Sequence, residues 1–239
     1  MELLTALTTT GAFREFTPEP VADADLERVL DIARFAPSGG NRQGWRVIVV
    51  KDPLVRVGLR DLYLDGWYEY LAQRGAGLTP WSPTADRTAE AAAIGRAPEI
   101  AASVSPDGFA ERLHEVPVLL AIVVDLGQLA AVDRDLDRYS FVGAASVYPF
   151  AWNLLLAARE LNLGGVLTTM ATRRETDANA LLGVPVDHAL AGLIALGHPV
   201  RTFSRLTRAA VSSFTTVDGF DGPAFGSALG SGAADPHPS

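Results

Sequence analysis

Apolar residues recur at helical spacing between residues 23 and 37. The positions that share one face of a 3.6-residue period are Leu26, Val29, Leu30 and Ala33. This pattern predicts an amphipathic helix whose apolar stripe faces a core. Pro37 disfavours helical backbone at the residue before it, so the helix is expected to end near Ala36.

The chain then contains four apolar runs of strand length, separated by helical segments. The runs are "WRVIVVKD", "VPVLLAIVVDL", "LGGVLTTM" and "HALAGLIALGHP". The order is helix, strand, helix, excursion, strand, helix, strand, helix, strand and tail. This order predicts one α+β domain over residues 1–221. Small and polar residues dominate residues 222–239, which are expected to form a flexible tail.

The excursion, residues 74–108, is rich in Pro, Gly, Ala and Ser. It is long for a connection within a compact domain. Two interpretations stay open: the excursion is a lid or a wall of a pocket, or it is a loose detour of the chain.

Residues 143–162, "GAASVYPFAWNLLLAARELN", are apolar on almost every side of the predicted helix. A helix of this kind is buried all round, or buried between two subunits. Just before it, residues 133–139, "DRDLDRY", carry alternating charges. We expect that stretch to be a solvated surface loop.

Composition excludes several classes of protein. The net charge of −8 argues against a nucleic-acid surface, which needs a basic stripe. The chain has no Cys, and none of its four His residues lies at ligand spacing from another, so no metal site is expected. The N-terminus "MELLTALTTT" lacks a secretory signal pattern, and no apolar run approaches the ~20 residues of a membrane span. These absences predict a soluble, cytoplasmic protein.

Common catalytic motifs are absent as well. The sequence has no GxGxxG, no GxxxxGK[ST] and no G-x-S-x-G elbow. If a reaction occurs here, a bound cofactor is expected to supply its chemistry. The loop "PSGGN" has short side chains between a helix and a strand, and these let a ligand come close to the backbone.

This loop belongs to the stretch "APSGGNRQGWRVIVV", which resembles the signature of FMN-dependent nitroreductases, A-P-S-x-x-N-x-Q-P-W followed by a strand. Other parts of the chain are similar to the same family. They are "REFTPEPVADADLERVLDIARFAPS", "SVYPFAWNLLLAARELNLGGVLTT" and "IALGHPVRTFSRLTRAAVSSFTTVDGF". Together these segments cover most of the chain outside the excursion and the tail.

The resemblance implies an α+β fold with a central, mainly antiparallel sheet flanked by helices, in an intertwined homodimer. It implies two FMN sites in the subunit interface. NAD(P)H would reduce the flavin at N5, and a nitroaromatic, quinone or similar small acceptor would then reoxidise it in a ping-pong cycle. Alternatives are a flavin oxidase or desaturase dedicated to one metabolite, and a non-catalytic member that has lost its flavin.

Carried over position by position, the resemblance also implies the cofactor-binding residues. Two cations match positions that hold the FMN phosphate or the polar edge of the ring: Arg14 and Arg208. The loop that contacts FMN contains Pro37, Ser38, Gly39 and Asn41. The segment beside the reactive face, where a backbone N–H would bond N5, contains Leu167, Thr168 and Thr169. No catalytic acid or base is identified.

The sequence departs from the family pattern at several points. Gly11 and Ala12 stand where the family usually has an arginine and a small hydroxyl residue, so one phosphate contact is missing. Gly44 replaces the proline of Q-P-W, and Ala210 replaces the proline after the late arginine. These changes bear on how tightly FMN binds rather than on the fold.

Overall fold

The computed structural model describes residues 1–226. The chain divides into two compact units, Met1–Phe203 and Ser204–Ser239, which are described separately. The first unit contains the sheet and the packed helices.

The core of the first unit is a four-stranded sheet. Its strands are β1 (Trp45–Val49), β2 (Val118–Asp125), β3 (Gly164–Thr168) and β4 (His188–Gly197). Their order in the sheet is β1-β2-β4-β3, and every neighbouring pair is antiparallel. The four predicted strands and the mainly antiparallel sheet are thereby confirmed. β1 and β3 are the two edge strands, a fact that decides how the site is arranged.

Helices cover both faces of the sheet. They are α1 (Leu3–Thr9), α2 (Asp23–Ala33), α3 (Pro53–Gly75), α4 (Arg87–Ile94), α5 (Ala97–Ser103), α6 (Tyr148–Glu160) and α7 (Glu175–Leu182). Alternate residues of β2 point to opposite faces, so Leu120 and Ile122 pack in the core with α2 and α6. Leu119 and Ala121 pack in the core with α3 and α7. None of the described helices is both long and apolar enough to cross a membrane.

The apolar segment 143–162 is not one helix. A 3₁₀ helix, Val142–Ser146, comes first, and α6 starts only at Tyr148 with Pro149 in its first turn. Proline suits that position because the first-turn N–H groups have no partner within the helix. One side of α6 is buried. Tyr148 and Trp152, which also belong to α6, are each 40% exposed.

Residues 74–108 contain α4 and α5. The carboxylate of Asp86 caps α4 by accepting the backbone N–H groups of Thr88 and Ala89 at 2.8 and 3.3 Å. Such a cap satisfies donors that the first helical turn leaves unpaired.

The expectation of a solvated loop at residues 133–139 is wrong for Asp133, which is 2% exposed. Its carboxylate accepts the N–H of Phe141 at 3.0 Å, the hydroxyl of Ser140 at 2.9 Å and Nη1 of Arg138 at 2.7 Å. The Phe141 bond is the main reason why the pKa of Asp133 lies well below its usual range. The carboxylate therefore organises the loop from inside.

The second unit is described as far as residue 226. It holds a 3₁₀ helix, Val211–Ser213, and an isolated antiparallel bridge between Thr216 and Ala224. The predicted tail, residues 222–239, begins within this bridge, and residues 227–239 lie outside the described part of the chain.

Candidate functional site

The loop between α2 and β1 brings several predicted residues together. Residues Gly39–Asn41 form a 3₁₀ turn, in which Gly40 and Asn41 have φ values of 59° and 53°. Asn tolerates this left-handed region better than most residues. The hydroxyl oxygen of Ser38 accepts the N–H of Gln43 at 3.0 Å. The hydroxyl hydrogen of Ser38 thus stays available to a ligand.

Ser146, which lies 107 residues from Gly39 in the sequence, holds this loop in place. Its hydroxyl oxygen accepts the N–H of Gly39 at 3.0 Å, and Ser146 is 7% exposed. A Cβ on Gly39 would lie 3.2 Å from Cβ of Ala130 and 3.4 Å from Oγ of Ser146. A side chain at this position would therefore be tightly packed against Ala130, and the neighbouring atoms would have to shift by a few tenths of an ångström. The sequence pattern did not single out Ser146, which lies within the apolar segment 143–162 and just before α6.

Gly44 closes the loop against a neighbouring turn. A Cβ at this position would lie 2.6 Å from Cβ of Gln128. Arg42 fixes the same turn, because its Nε donates to the carbonyl of Gln128 at 2.9 Å. The departure from proline is thereby explained, since the 3₁₀ helix Leu126–Gln128 fills the space that a ring would need.

A second group of predicted residues lies at the end of β3, where Thr168 contacts Tyr63 on α3. Thr168 donates its hydroxyl hydrogen to the phenol oxygen of Tyr63 at 3.3 Å. Tyr63 is 3% exposed, and this burial raises its pKa. The Thr168 bond and the positive charge of Arg14 oppose the rise, while the negative charge of Glu111 adds to it. Arg14 and Thr168, far apart in sequence, thus act on one buried phenol.

The free edge of β3 offers backbone groups beside this cluster. The N–H of Phe13 donates to the carbonyl of Gly165 at 3.1 Å, so the polar groups of Gly165 face away from β4. Backbone direction alternates along a strand, so the N–H and C=O of Leu167 face the same open edge. The hydroxyl of Thr168 is turned to Tyr63. A ligand at this edge would meet the backbone of Leu167 first.

Thr169 follows the last residue of β3 and starts the next turn. Its carbonyl accepts both the N–H and the hydroxyl of Thr172, at 3.0 and 2.6 Å. The backbone after β3 is therefore held by a local turn rather than by the sheet.

The two groups of predicted residues lie at opposite edges of the sheet. The 37–44 loop precedes β1, and Thr168 ends β3. The start of β1 pairs with the end of β2, as the register Trp45↔Val124 shows, and the start of β4 lies beside the end of β2. Both groups of residues therefore lie towards the same end of the sheet. Three strand spacings separate β1 from β3, which is about 14 Å. A single chain therefore does not bring the two groups into contact through its sheet.

Arg208 belongs to the second unit. Its side chain is exposed, and its Nη1 donates to the carbonyl of Thr207 at 2.8 Å. Its contact with a cofactor phosphate stays a prediction.

The family follows from comparison with known proteins. Residues 10–198 match the sequence profile of the nitroreductase family. The chain belongs to the nitroreductase family. The family resemblance is confirmed for the loop and the central helix, which lie within the matched range, whereas the late arginine segment lies largely beyond residue 198 and stays a prediction.

Three relatives illustrate this membership. An NADH dehydrogenase of Thermus thermophilus is 26% identical over 200 residues, which is 83% of this chain and 87% of that protein. The crystal structure of a BluB-like flavoprotein from Clostridium difficile matches with a TM-score of 0.65 and 19% identity, covering 90% of this chain and 98% of the other. An iodotyrosine deiodinase bound to FMN and 3-iodo-L-tyrosine matches with a TM-score of 0.59 and 23% identity, covering 88% and 96%. The nitroreductase fold is confirmed, and the chain is a nitroreductase-type oxidoreductase.

Proposed function

We propose that this nitroreductase-family protein is an FMN-dependent NAD(P)H oxidoreductase. When bound, FMN would accept two electrons at N5 from NAD(P)H and pass them to a nitroaromatic, quinone or similar acceptor in a ping-pong cycle. The observation that carries the proposal is the arrangement of the predicted residues in two groups. Each group offers polar atoms that the fold leaves open to a ligand.

The 37–44 loop fits the ribityl chain and ring of a flavin. Ser38 keeps a hydroxyl hydrogen to donate, because its oxygen already accepts from Gln43. Gly39 lets the ligand approach the backbone, and Ser146 fixes the loop from behind. The backbone is thus set before a ligand arrives, which lowers the entropy cost of binding.

The edge of β3 fits the polar rim of the ring. The N–H of Leu167 would donate to a ring nitrogen, while Thr168 stays held by Tyr63. Arg14 is exposed, and its guanidinium would stabilise negative charge on the ring or the phosphate. Arg208 would add a second cation for the phosphate. No side chain needs to supply a proton in this arrangement, because solvent can do so.

We also infer that the working form is a homodimer in the cytoplasm. Strands β1 and β3, next to which the two groups lie, are about 14 Å apart across one sheet, so a second copy would bring the loop of one chain to the β3 edge of the other. The exposed aromatic rings of Tyr148 and Trp152 on α6 give an apolar surface for that copy.

The visible absorption spectrum of the purified protein tests the cofactor. We expect a flavin spectrum that is bleached by NADH or NADPH under anaerobic conditions and restored by menadione. A preparation that neither contains flavin nor binds added FMN would contradict the proposal.

A second candidate is an oxidase or desaturase that acts on one dedicated metabolite. The deiodinase structure supports only the part about one dedicated metabolite, because that protein of the same fold is bound to FMN and 3-iodo-L-tyrosine. The anaerobic experiment separates the two. Flavin that stays oxidised with NADH and NADPH but is reduced by a metabolite extract would support the second candidate.

A further inference from the structure

One face of α3 carries a row of residues at helical spacing. The row consists of Tyr63, Gly66, Tyr70 and Gln73, and residues three or four apart lie on the same side of a helix. This face packs against the residues from Thr168, the last residue of β3, to Arg173. We call these residues the 168–173 segment.

The helix holds the 168–173 segment at its start, its middle and its end. Thr168 bonds to Tyr63 at 3.3 Å. A Cβ on Gly66 would lie 2.4 Å from the carbonyl oxygen of Met170, so only glycine permits the contact. At the end of the segment, Nε of Arg173 donates to the carboxylate of Glu69 at 3.0 Å.

An aromatic stack joins the two ends of the segment. It consists of Tyr63, Trp67, Tyr70 and Trp81, with successive ring centroids 6.4, 5.4 and 6.3 Å apart. Three of the rings lie on α3, whereas Trp81 comes from the 74–108 excursion and folds back onto the helix. The guanidinium of Arg173 lies 5.1 Å from the Trp81 ring centroid, in a cation–π contact.

The backbone of Trp81 is strained to make this contact. Its φ is 49°, in the left-handed region that a bulky residue rarely adopts. Gln73, which is 0% exposed, holds it there by accepting its backbone N–H at 3.0 Å. Strained backbone of this kind persists only where the surroundings enforce it, and it is most common at functional sites.

We propose that Trp81 is a positioning residue for the cofactor site, acting on the 168–173 segment through Arg173. The proposal rests on the proposed function, in which the N–H of Leu167, just before this segment, binds the flavin. Under this proposal the 74–108 excursion shapes the site indirectly, because its Trp81 ring covers Arg173. Loss of the ring would loosen the segment that directly follows Leu167, whose backbone N–H meets the cofactor.

Hydrogen exchange of the flavin-free protein tests the positioning role directly. We expect Trp81→Ala to speed exchange of the amides in the 168–173 segment about two- to fivefold, the range of one cation–π contact. Trp81→Phe keeps a ring and should restore slow exchange. Arg173→Met should loosen the same amides while leaving Trp81 in place, so it serves if Trp81→Ala folds poorly. Arg96→Ala is the matched control, because Arg96 lies in the same excursion and forms an exposed pair with Glu99.

FMN titration provides the second measurement. We expect Trp81→Ala and Arg173→Met to weaken FMN binding by a similar two- to fivefold factor and Arg96→Ala to leave it unchanged. Faster exchange confined to residues 74–108 would overturn the proposal, because Trp81 would then anchor only its own loop. A wild-type protein that binds no FMN would refute the proposed function instead, and the exchange result would still decide whether Trp81 holds the segment.

Discussion

The hydroxyl of Thr168 donates a hydrogen bond to the phenol oxygen of Tyr63 at 3.3 Å, across 105 residues of sequence. The bond turns the Thr168 side chain towards α3. It leaves the neighbouring strand edge at Leu167 to interact through its backbone alone. One buried contact thus decides which atoms the end of β3 can present to a cofactor.

Replacing Tyr63 by Phe tests this contact. We expect the free energy of unfolding to fall by about 0.5–1 kcal/mol, because the hydroxyl of Thr168 loses its acceptor and 3.3 Å is long for such a bond. Urea denaturation of the flavin-free protein measures the change. The matched background is Thr168→Val, in which Tyr63→Phe should cost much less if the two hydroxyls interact. Equal losses in both backgrounds would show that the bond contributes nothing.

Gly44 gives a sharper steric prediction. Gly44→Ala should lower stability by about 1–3 kcal/mol, because the new Cβ would lie 2.6 Å from Cβ of Gln128. Thermal unfolding measures the loss. The double variant Gly44→Ala with Gln128→Gly removes the opposing Cβ and should recover most of it. If Gly44→Ala is as stable as the wild type, the turn at 126–128 yields easily and does not explain the missing proline.

The sheet could be predicted from sequence because its signal is local. β2 is buried along its whole length except at Asp125, so its apolar run is continuous. α7 ends at Gly183, whose φ of 67° is the left-handed conformation that glycine favours after a helix. Both sequence signals, the continuous apolar run and the glycine after a helix, can be recognised without knowing a distant partner.

The contacts of the site could not be predicted in the same way. Ser146 and Gly39 are 107 residues apart, and nothing near either residue signals the bond. The run that begins at Asp133 is charged, which indicates solvent, yet the carboxylate is buried because Ser140 and the Phe141 N–H supply donors. Sequence pattern reports the residue type, whereas burial depends on which donors the fold brings near.

Asp133 provides a prediction with a defined pH dependence. Its pKa is lowered in the folded protein, chiefly by the N–H of Phe141, from an ordinary value of 3.8. A carboxyl group whose pKa is lower in the folded protein than in the unfolded chain stabilises the fold at pH values above its unfolded pKa. This stabilisation is lost as the pH falls below 3.8 towards the folded pKa. We therefore expect Asp133→Asn to be less stable than the wild type at neutral pH. The difference should shrink as the pH is lowered through that window.

Chemical denaturation at a series of pH values measures this difference. The matched control is Asp137→Asn, since Asp137 is in the same loop and is exposed. Its stability relative to the wild type should vary little across the window. A deficit for Asp133→Asn that stays constant with pH would show that packing, not the charge, accounts for the loss.

The last prediction concerns which chains build one site. Leu167→Pro removes an N–H that faces the open edge of β3, and proline is tolerated on an edge strand when the ladder bonds are kept. Val166→Pro removes an N–H that faces β4 and should unfold the protein, which checks the direction of the edge. Gly39→Val crowds the 37–44 loop against Ala130 and Ser146. We expect Leu167→Pro and Gly39→Val each to fold and each to lose FMN.

Mixing these two variants then decides the arrangement. If the loop of one chain meets the β3 edge of a second, each mixed dimer contains one intact site and one doubly altered site. Random exchange makes half of the dimers mixed, so about a quarter of the wild-type flavin content should return. If both groups serve the same chain's site, every site in the mixture carries one altered group and no flavin returns. Flavin content after refolding the two chains together, compared with each chain refolded alone, distinguishes these outcomes, because only a shared site can be rebuilt by mixing.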